Sequence, residues 1–218
     1  MNPNTPPSNE ADPVAPTYPL FPLPNCVIFP SVITALHIFE HRYREMTADA
    51  LASHRSFVLV LIQPGWEAEY EGAPPIHSIG CLARIVDDRK LPDGRYNLVV
   101  IGGPRVRILE EIPHSPYRKA RIQALDSPQQ APDWTSPSAQ RLSIYFDEVF
   151  CRTPQALSSI HLDPQDTPDH FCDKIVASLQ MDAQQKQALL AELDIERRLE
   201  TTGEILHRIT PTRAGHYT

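Results

Sequence analysis

The chain has 218 residues, enough for one large domain or two small ones of about 100–150 residues each. Its 41% apolar content can build a sizeable core, and 22% charged residues is too few for a disordered polyelectrolyte. A net charge of −7 argues against a general nucleic-acid binder, and no apolar run approaches the roughly 20 residues that span a bilayer. Residues 1–17 carry no basic residue and no apolar stretch, so they do not read as a secretory signal, and the expected setting is the cytoplasm. The 23 prolines against 8 glycines exclude a collagen repeat and a Gly/Ser linker.

Five prolines fall in residues 1–17 among polar residues, which predicts a disordered tail. Residues 18–126 hold 12 acids and 12 bases and read mainly as strands. Val32, Thr34, Leu36 and Ile38 form one face of an alternating segment, and residues 57–62 (FVLVLI) form a continuous apolar run, as in a strand buried on both faces. A helix is predicted over residues 41–54, with Tyr43, Met46, Ala50 and Leu51 near one face. Ile79, Cys81, Ala83 and Ile85 alternate inward in the next strand. The motif Leu91-Pro92-Asp93-Gly94 predicts a hairpin turn before further strands at 96–101, 106–109 and 118–125. Gly102-Gly103-Pro104 reads as a corner between two of them.

A polar, Pro-bearing linker is expected over 127–137, with Trp134 packed on something nearby. The period then turns helical over 138–210. Leu142, Tyr145, Phe146, Val149 and Phe150 form one stripe, and Ile195, Leu199, Thr202, Leu206 and Ile209 form another. Thr167-Pro168-Asp169 predicts a capped helix start, and Asp182 with Gln185 a capping box. Residues 211–218 read as a tail. The expected class is α+β: a six-stranded barrel subdomain at 18–126 with one inserted helix, then a helical bundle subdomain at 138–210.

No phosphate-cradling loop, nucleophile elbow or zinc-binding HExxH helix is present. His161, His170 and Cys172 are ligand types within one segment, but their spacing fits no closed metal site and His170 and Cys172 should face different ways. The four cysteines, Cys26, Cys81, Cys151 and Cys172, form no Cys-x-x-Cys unit and read as small buried hydrophobes, with Cys26 the candidate near the surface. No catalytic residue, cofactor or metal is therefore assigned. In residues 65–72 (GWEAEYEG), Trp66 and Tyr70 sit among acids in a loop; such rings can serve recognition or can cover a barrel opening. They are the binding candidates.

In order along the chain, Pro19-Leu20-Phe21-Pro22-Leu23-Pro24, Val27-Ile28-Phe29-Pro30 and Leu36-His37-Ile38-Phe39-Glu40 resemble the N-terminal substrate-binding domain of Lon proteases. The likeness continues through Ile79-Gly80-Cys81-Leu82-Ala83-Arg84-Ile85, Leu91-Pro92-Asp93-Gly94-Arg95-Tyr96, Arg105-Val106-Arg107-Ile108, Tyr117-Arg118-Lys119-Ala120 and Leu193-Asp194-Ile195-Glu196-Arg197-Arg198-Leu199. It implies a PUA-like six-stranded pseudo-barrel followed by a helical bundle, as a stand-alone member without the ATPase and peptidase domains of the full proteases. Two departures stand near the first barrel edge. Ser31 occupies a place where the family often has Gly, and Thr34-Ala35 replaces its usual Pro-Leu step.

The expected function is non-enzymatic recognition of polypeptide segments or a protein partner, with nucleic acid unlikely and no membrane association. An RNA-binding PUA-like protein is one rival, since 10 of the 16 arginines lie in the barrel. A Cys- or metal-dependent hydrolase is the other.

Overall fold

The computed structural model of the chain describes residues 15–65, 72–125, 133–152, 160, 163 and 165–209. Among the described residues, six strands precede four helices, with one further helix inserted early. They are β1 (Thr17–Leu23), β2 (Ile33–Ile38), α1 (His41–Leu51), β3 (Ser56–Leu61), β4 (Ile79–Lys90), β5 (Tyr96–Ile112), β6 (Lys119–Leu125), α2 (Pro137–Arg152), α3 (Pro168–Ser178), α4 (Ala183–Ala191) and α5 (Ile195–Ile209). The sheet runs β2-β5-β4-β3-β1-β6, and β5 also pairs with β6. Five strands thus close a ring, and among the described residues β2 is attached beside it through β5 alone. The expected α+β pseudo-barrel is present, with one of its six strands outside the closure.

β5 differs from the sequence reading. Gly102-Gly103-Pro104 is no corner: one 17-residue strand runs through it. Its first half pairs with β2 (Ile33↔Ile101 to Ile38↔Tyr96) and its second half with β6 (Arg105↔Leu125 to Ile112↔Lys119). Glycine is needed there for closeness rather than for turning, because a Cβ on Gly102 would lie 1.9 Å from the Phe29 carbonyl oxygen. The predicted turn is present: Gly94 has φ 84° and the Asp93 carboxylate accepts from the Arg95 N–H at 3.1 Å.

Sequence reading passed over β1 as a strand, since Pro19 and Pro22 cannot donate to a ladder. The strand changes partners part-way. Residues Thr17, Tyr18 and Pro19 pair with β6, and Leu20 to Leu23 pair with β3. The Leu20 N–H donates to Arg118 O on the β6 side, whereas Leu23 O accepts from Ile62 N on the β3 side. By alternation, Pro22 faces its missing donor toward β6 after that pairing has ended, and Pro19 faces β3 before that pairing begins.

β3 is buried along its whole length, as its apolar run predicts. Phe57 and Leu59 join the main core, while Val58 and Val60 join a smaller cluster with Leu20, Val106, Ala120 and Ile122. The main core is continuous from barrel to helices: Phe21, Phe29 and Met46 belong to the same cluster as Leu142, Phe146, Ile175 and Leu199. α1 ends at Leu51, three residues earlier than predicted, and turns through residues 52–54. Of the caps, Asp182 accepts from the Gln185 N–H at 2.8 Å as expected, but the Thr167 hydroxyl turns to the Asp169 carboxylate. Among the described residues, no helix is long and apolar enough to cross a membrane.

Candidate functional site

Among the described residues, β2 has a strand partner on one edge only. Gly102 N donates to Val32 O at 2.9 Å, which sets which residues face β5. In an antiparallel ladder these residues alternate, so Thr34, Leu36 and Ile38 turn their backbone groups to β5 while Ile33, Ala35 and His37 turn theirs to the open edge. The hairpin agrees in parity, because Arg95 O bonds Leu91 N on the opposite side of β5. The strand ITALHI contains no Pro, Lys, Asp or Glu, so it lacks the devices that usually blunt an exposed edge. Its side chains follow the predicted alternation: Thr34, Leu36 and Ile38 turn inward, and Ile33 is 65% exposed. Phe39, just after the strand, is 61% exposed and stacks on His37 at 6.3 Å.

Along the first half of this edge lies a cavity of about 530 Å³. Val27, Ser31, Val32, Ile33, Thr34 and Ala35 line the barrel side, and Lys174, Ala177 and Ser178 of α3 line the other, with Ile160 and Asp163 completing it. Such a volume is within the usual range for ligand sites, roughly 300–1,000 Å³. Ser31, standing where the resembled family often has Gly, holds φ 62°, the left-handed region that glycine enters freely. Ser31 thus holds a backbone conformation that suits glycine and sets a hydroxymethyl group on the cavity wall.

A second hollow of about 350 Å³ adjoins the first and shares Asp163 with it. Trp134, Phe146 and Phe171 give it an aromatic wall, and Asp147, Asp163 and Asp166 a negative rim. Trp134 packs edge-on against Phe171 at 5.3 Å and donates its indole N–H to Asp166 O at 3.2 Å, as its place in a polar linker suggests for a ring that must pack. Asp166 is already partnered: Lys174 Nζ lies 2.6 Å from Oδ2. Burial is the largest influence and pushes the Asp166 carboxyl up, but the Lys174 bond and charge, with the Asp163 N–H and the nearby His170, together hold it below the usual range. Asp147 and Asp163 have no ion-pair partner among the described residues.

The position of α3 beside β2 is fixed through Asp173, on the flank of the face that lines the cavity. Arg105 of β5 donates to both carboxylate oxygens of Asp173 at 2.9 and 2.7 Å and to Leu190 O at 2.9 Å. Arg198 of α5 approaches the same carboxylate, Nε to Oδ1, at 3.5 Å. The three side chains are 7%, 1% and 2% exposed. Burial alone pushes the Arg105 guanidinium down; the Asp173 carboxylate reverses this and raises it. One buried carboxylate therefore joins barrel, α3 and α5.

The predicted binding residues Trp66 and Tyr70 lie outside the described residues, as does His161. His170 is half-buried, while Cys172 turns into the core against Thr202, Sγ to Oγ1 3.2 Å, so the two face apart as expected. Among the described residues no group of three or more His, Cys, Asp and Glu is placed to hold a metal ion. Cys26, expected near the surface, is half-buried, and the exposed thiol is Cys151 at the end of α2. The correction is helical: Cys151 stands past the apolar stripe of α2, while Cys26 packs against the core. Burial pushes Cys81 and Cys172 up to about 12, and raises Cys26 as well. At neutral pH such groups stay protonated and are poor nucleophiles. Alkylation with iodoacetamide at pH 8 followed by mass spectrometry should modify Cys151 first and leave Cys81 and Cys172 untouched until urea unfolds the chain; equal labelling of all four would contradict these positions.

The sequence model of the family described as "ATP-dependent protease La (LON) substrate-binding domain" matches residues 17–208. The Lon protease of Anaeromyxobacter dehalogenans is 28% identical over 194 residues, covering 87% of this chain and 23% of that protein, and Lon protease 2 of Myxococcus xanthus matches to the same extent. The chain thus spans about a quarter of the length of the curated relatives it matches. A Lon N-terminal domain protein from Xanthomonas campestris has a similar fold, with TM-score 0.65, 24% identity, and coverage of 90% of this chain and 99% of that one. The N-terminal domain of Mycobacterium avium complex Lon protease gives TM-score 0.66 at 14% identity, covering 88% and 98%. By the matched span, the order of its elements and the closed five-strand ring with its helical half, the chain belongs to the Lon substrate-binding domain family.

Proposed function

We propose that the chain is a non-enzymatic module that recognises polypeptide segments and holds them in the groove between β2 and α3. The observation that carries this is the open β2 edge beside a cavity, in a chain whose family is named for substrate binding. Barrel (18–126) and bundle (138–210) act as two subdomains, each supplying one wall. Trp66 and Tyr70 stay in the proposal as further contacts on sequence grounds alone.

The RNA reading draws less support. Of the ten barrel arginines, six (Arg42, Arg55, Arg95, Arg105, Arg118 and Arg121) are paired with carboxylates, which removes the uncompensated charge a phosphate backbone requires. The hydrolase reading lacks an activated thiol at Cys26, Cys81 and Cys172.

The test is fluorescence anisotropy with a labelled protein offered in two forms, native and reduced-carboxymethylated. Saturable binding of the unfolded form, at least about tenfold tighter than the native form, is expected, with the label intact by mass spectrometry after long incubation. Absence of binding to any unfolded polypeptide refutes the reading. A salt-dependent gel shift with RNA at comparable concentration would favour the rival.

A further inference from the structure

We infer that the groove captures its segment by strand addition: an extended polypeptide pairs with the open edge of β2 through the backbone groups of Ile33, Ala35 and His37, and sets a basic side chain against Asp163 and Asp147. This rests on the proposed polypeptide recognition and specifies its chemistry.

The backbone carries the first half of the argument. Residues 33, 35 and 37 each present an N–H and a C=O outward in one line, at the two-residue spacing of a strand, close to 7 Å. Another extended backbone matches that row group for group, whereas a helix consumes its own donors and acceptors. No described hydrogen bond fills these positions, and ITALHI has neither charge nor Pro to repel a strand. The cavity continues the edge sideways. Alternate side chains of an added strand would enter it between Val32 and Thr34 on one wall and Ala177 and Ser178 on the other, which suits small aliphatic or hydroxyl-bearing residues.

Charge sets the second half. Asp163 lines both the cavity and the aromatic hollow, and Asp147 lines the hollow; both carboxylates lack a described ion-pair partner. Asp166 next to them is already taken by Lys174. A guanidinium leaving the end of the added strand would meet two carboxylates with no ion-pair partner among the described residues, the Asp163 carboxylate accepting only the Gln165 N–H, and the exposed ring of Trp134, an arrangement that favours Arg through both ion pairing and stacking. The occupant is therefore an extended segment with alternating small aliphatic residues and one flanking Arg or Lys.

The experiment uses the intact chain and a labelled, capped peptide of about eight residues, alternating Val and Thr with a terminal Arg. N-methylating alternate amides gives two registers. One set removes the donors facing β2 and is expected to weaken binding by about tenfold or more per critical amide; the other set is expected to leave it unchanged. Ala35→Pro, which removes an outward donor without touching the ladder to β5, should weaken the parent peptide by about tenfold. Asp163→Asn with Asp147→Asn should weaken it by up to about fivefold and should not affect a peptide with Gln in place of Arg. If both methylation registers bind like the parent, strand addition is overturned while polypeptide recognition stands. If neither peptides nor unfolded proteins bind, the recognition reading itself fails. A wild-type dimer in sedimentation that Ala35→Pro turns into a monomer, and that peptide cannot dissociate, would make a second copy the occupant and overturn the inference.

Discussion

Replacing Asp173 with alanine is expected to cost about 3–5 kcal/mol of stability, read as a lowered urea midpoint with an unchanged slope. The carboxylate is the shared counter-charge of two buried guanidinium groups. Removing it leaves Arg105 with the Leu190 carbonyl and Arg198 with the Glu192 carbonyl, and neither carbonyl carries a charge. Arg198 Nε has no hydrogen bond among the described residues even in the native protein, so it has nothing to turn to. In a chain of this size the loss corresponds to a fall in Tm of about 10 °C. Exchanging all three side chains for apolar ones of similar volume should recover much of it, because a buried ion cluster is worth little more than good packing. A loss under about 1 kcal/mol for Asp173→Ala would mean that α3 is held by its apolar face alone. The same variant should weaken capture of unfolded chains, since it releases the wall that carries Lys174, Ala177 and Ser178.

Gly102→Ala is the second large effect. The new methyl would stand 1.9 Å from Phe29 O and 2.8 Å from Phe29 C, both backbone atoms, so no side-chain rotation relieves the clash. Gly102 also donates to Val32 O and accepts from Ser31 N, which fixes the corner that leads into β2. Moving the segment around Phe29 breaks those bonds and displaces Ser31 and Val32 on the cavity rim. A destabilisation of about 3 kcal/mol or more is expected, at the high end for overpacking. Gly203→Ala is the matched control. There the nearest atoms are the Tyr145 ring at 3.5 and 3.8 Å, an ordinary contact, and the helix gains up to about 1 kcal/mol of propensity. Thermal denaturation of the pair decides it, and equal midpoints would contradict the close approach.

How far these features were legible before the structure varies with their range. FVLVLI announced a strand buried on both faces because both clusters feed on its alternate residues, and the helical stripes of α2 and α5 pointed inward as spaced except at their last members, Phe150 and Ile209, which are exposed. Local chemistry also carried the Leu91-Pro92-Asp93-Gly94 turn. Long-range closeness did not show. Gly102-Gly103 looks like a bend until Phe29 is known to lie against it, and Pro19 and Pro22 argue against a strand until its change of partner is known. The groove belongs to this second kind. The alternation of ITALHI was visible, but an open edge is a property of the sheet order, and α3 comes from more than 130 residues further along. Asp173 and Arg105, separated by 68 residues, carried no sequence signal of their meeting.

Amide hydrogen exchange, followed residue by residue with and without a saturating unfolded polypeptide, tests polypeptide capture at β2 most directly. In the free protein the N–H groups of Thr34, Leu36 and Ile38 are expected to be protected by β5 while those of Ile33, Ala35 and His37 exchange quickly. On binding, the second set should slow by about tenfold or more and the first should change little. Saturation that leaves Ile33, Ala35 and His37 exchanging as in the free protein would contradict the account.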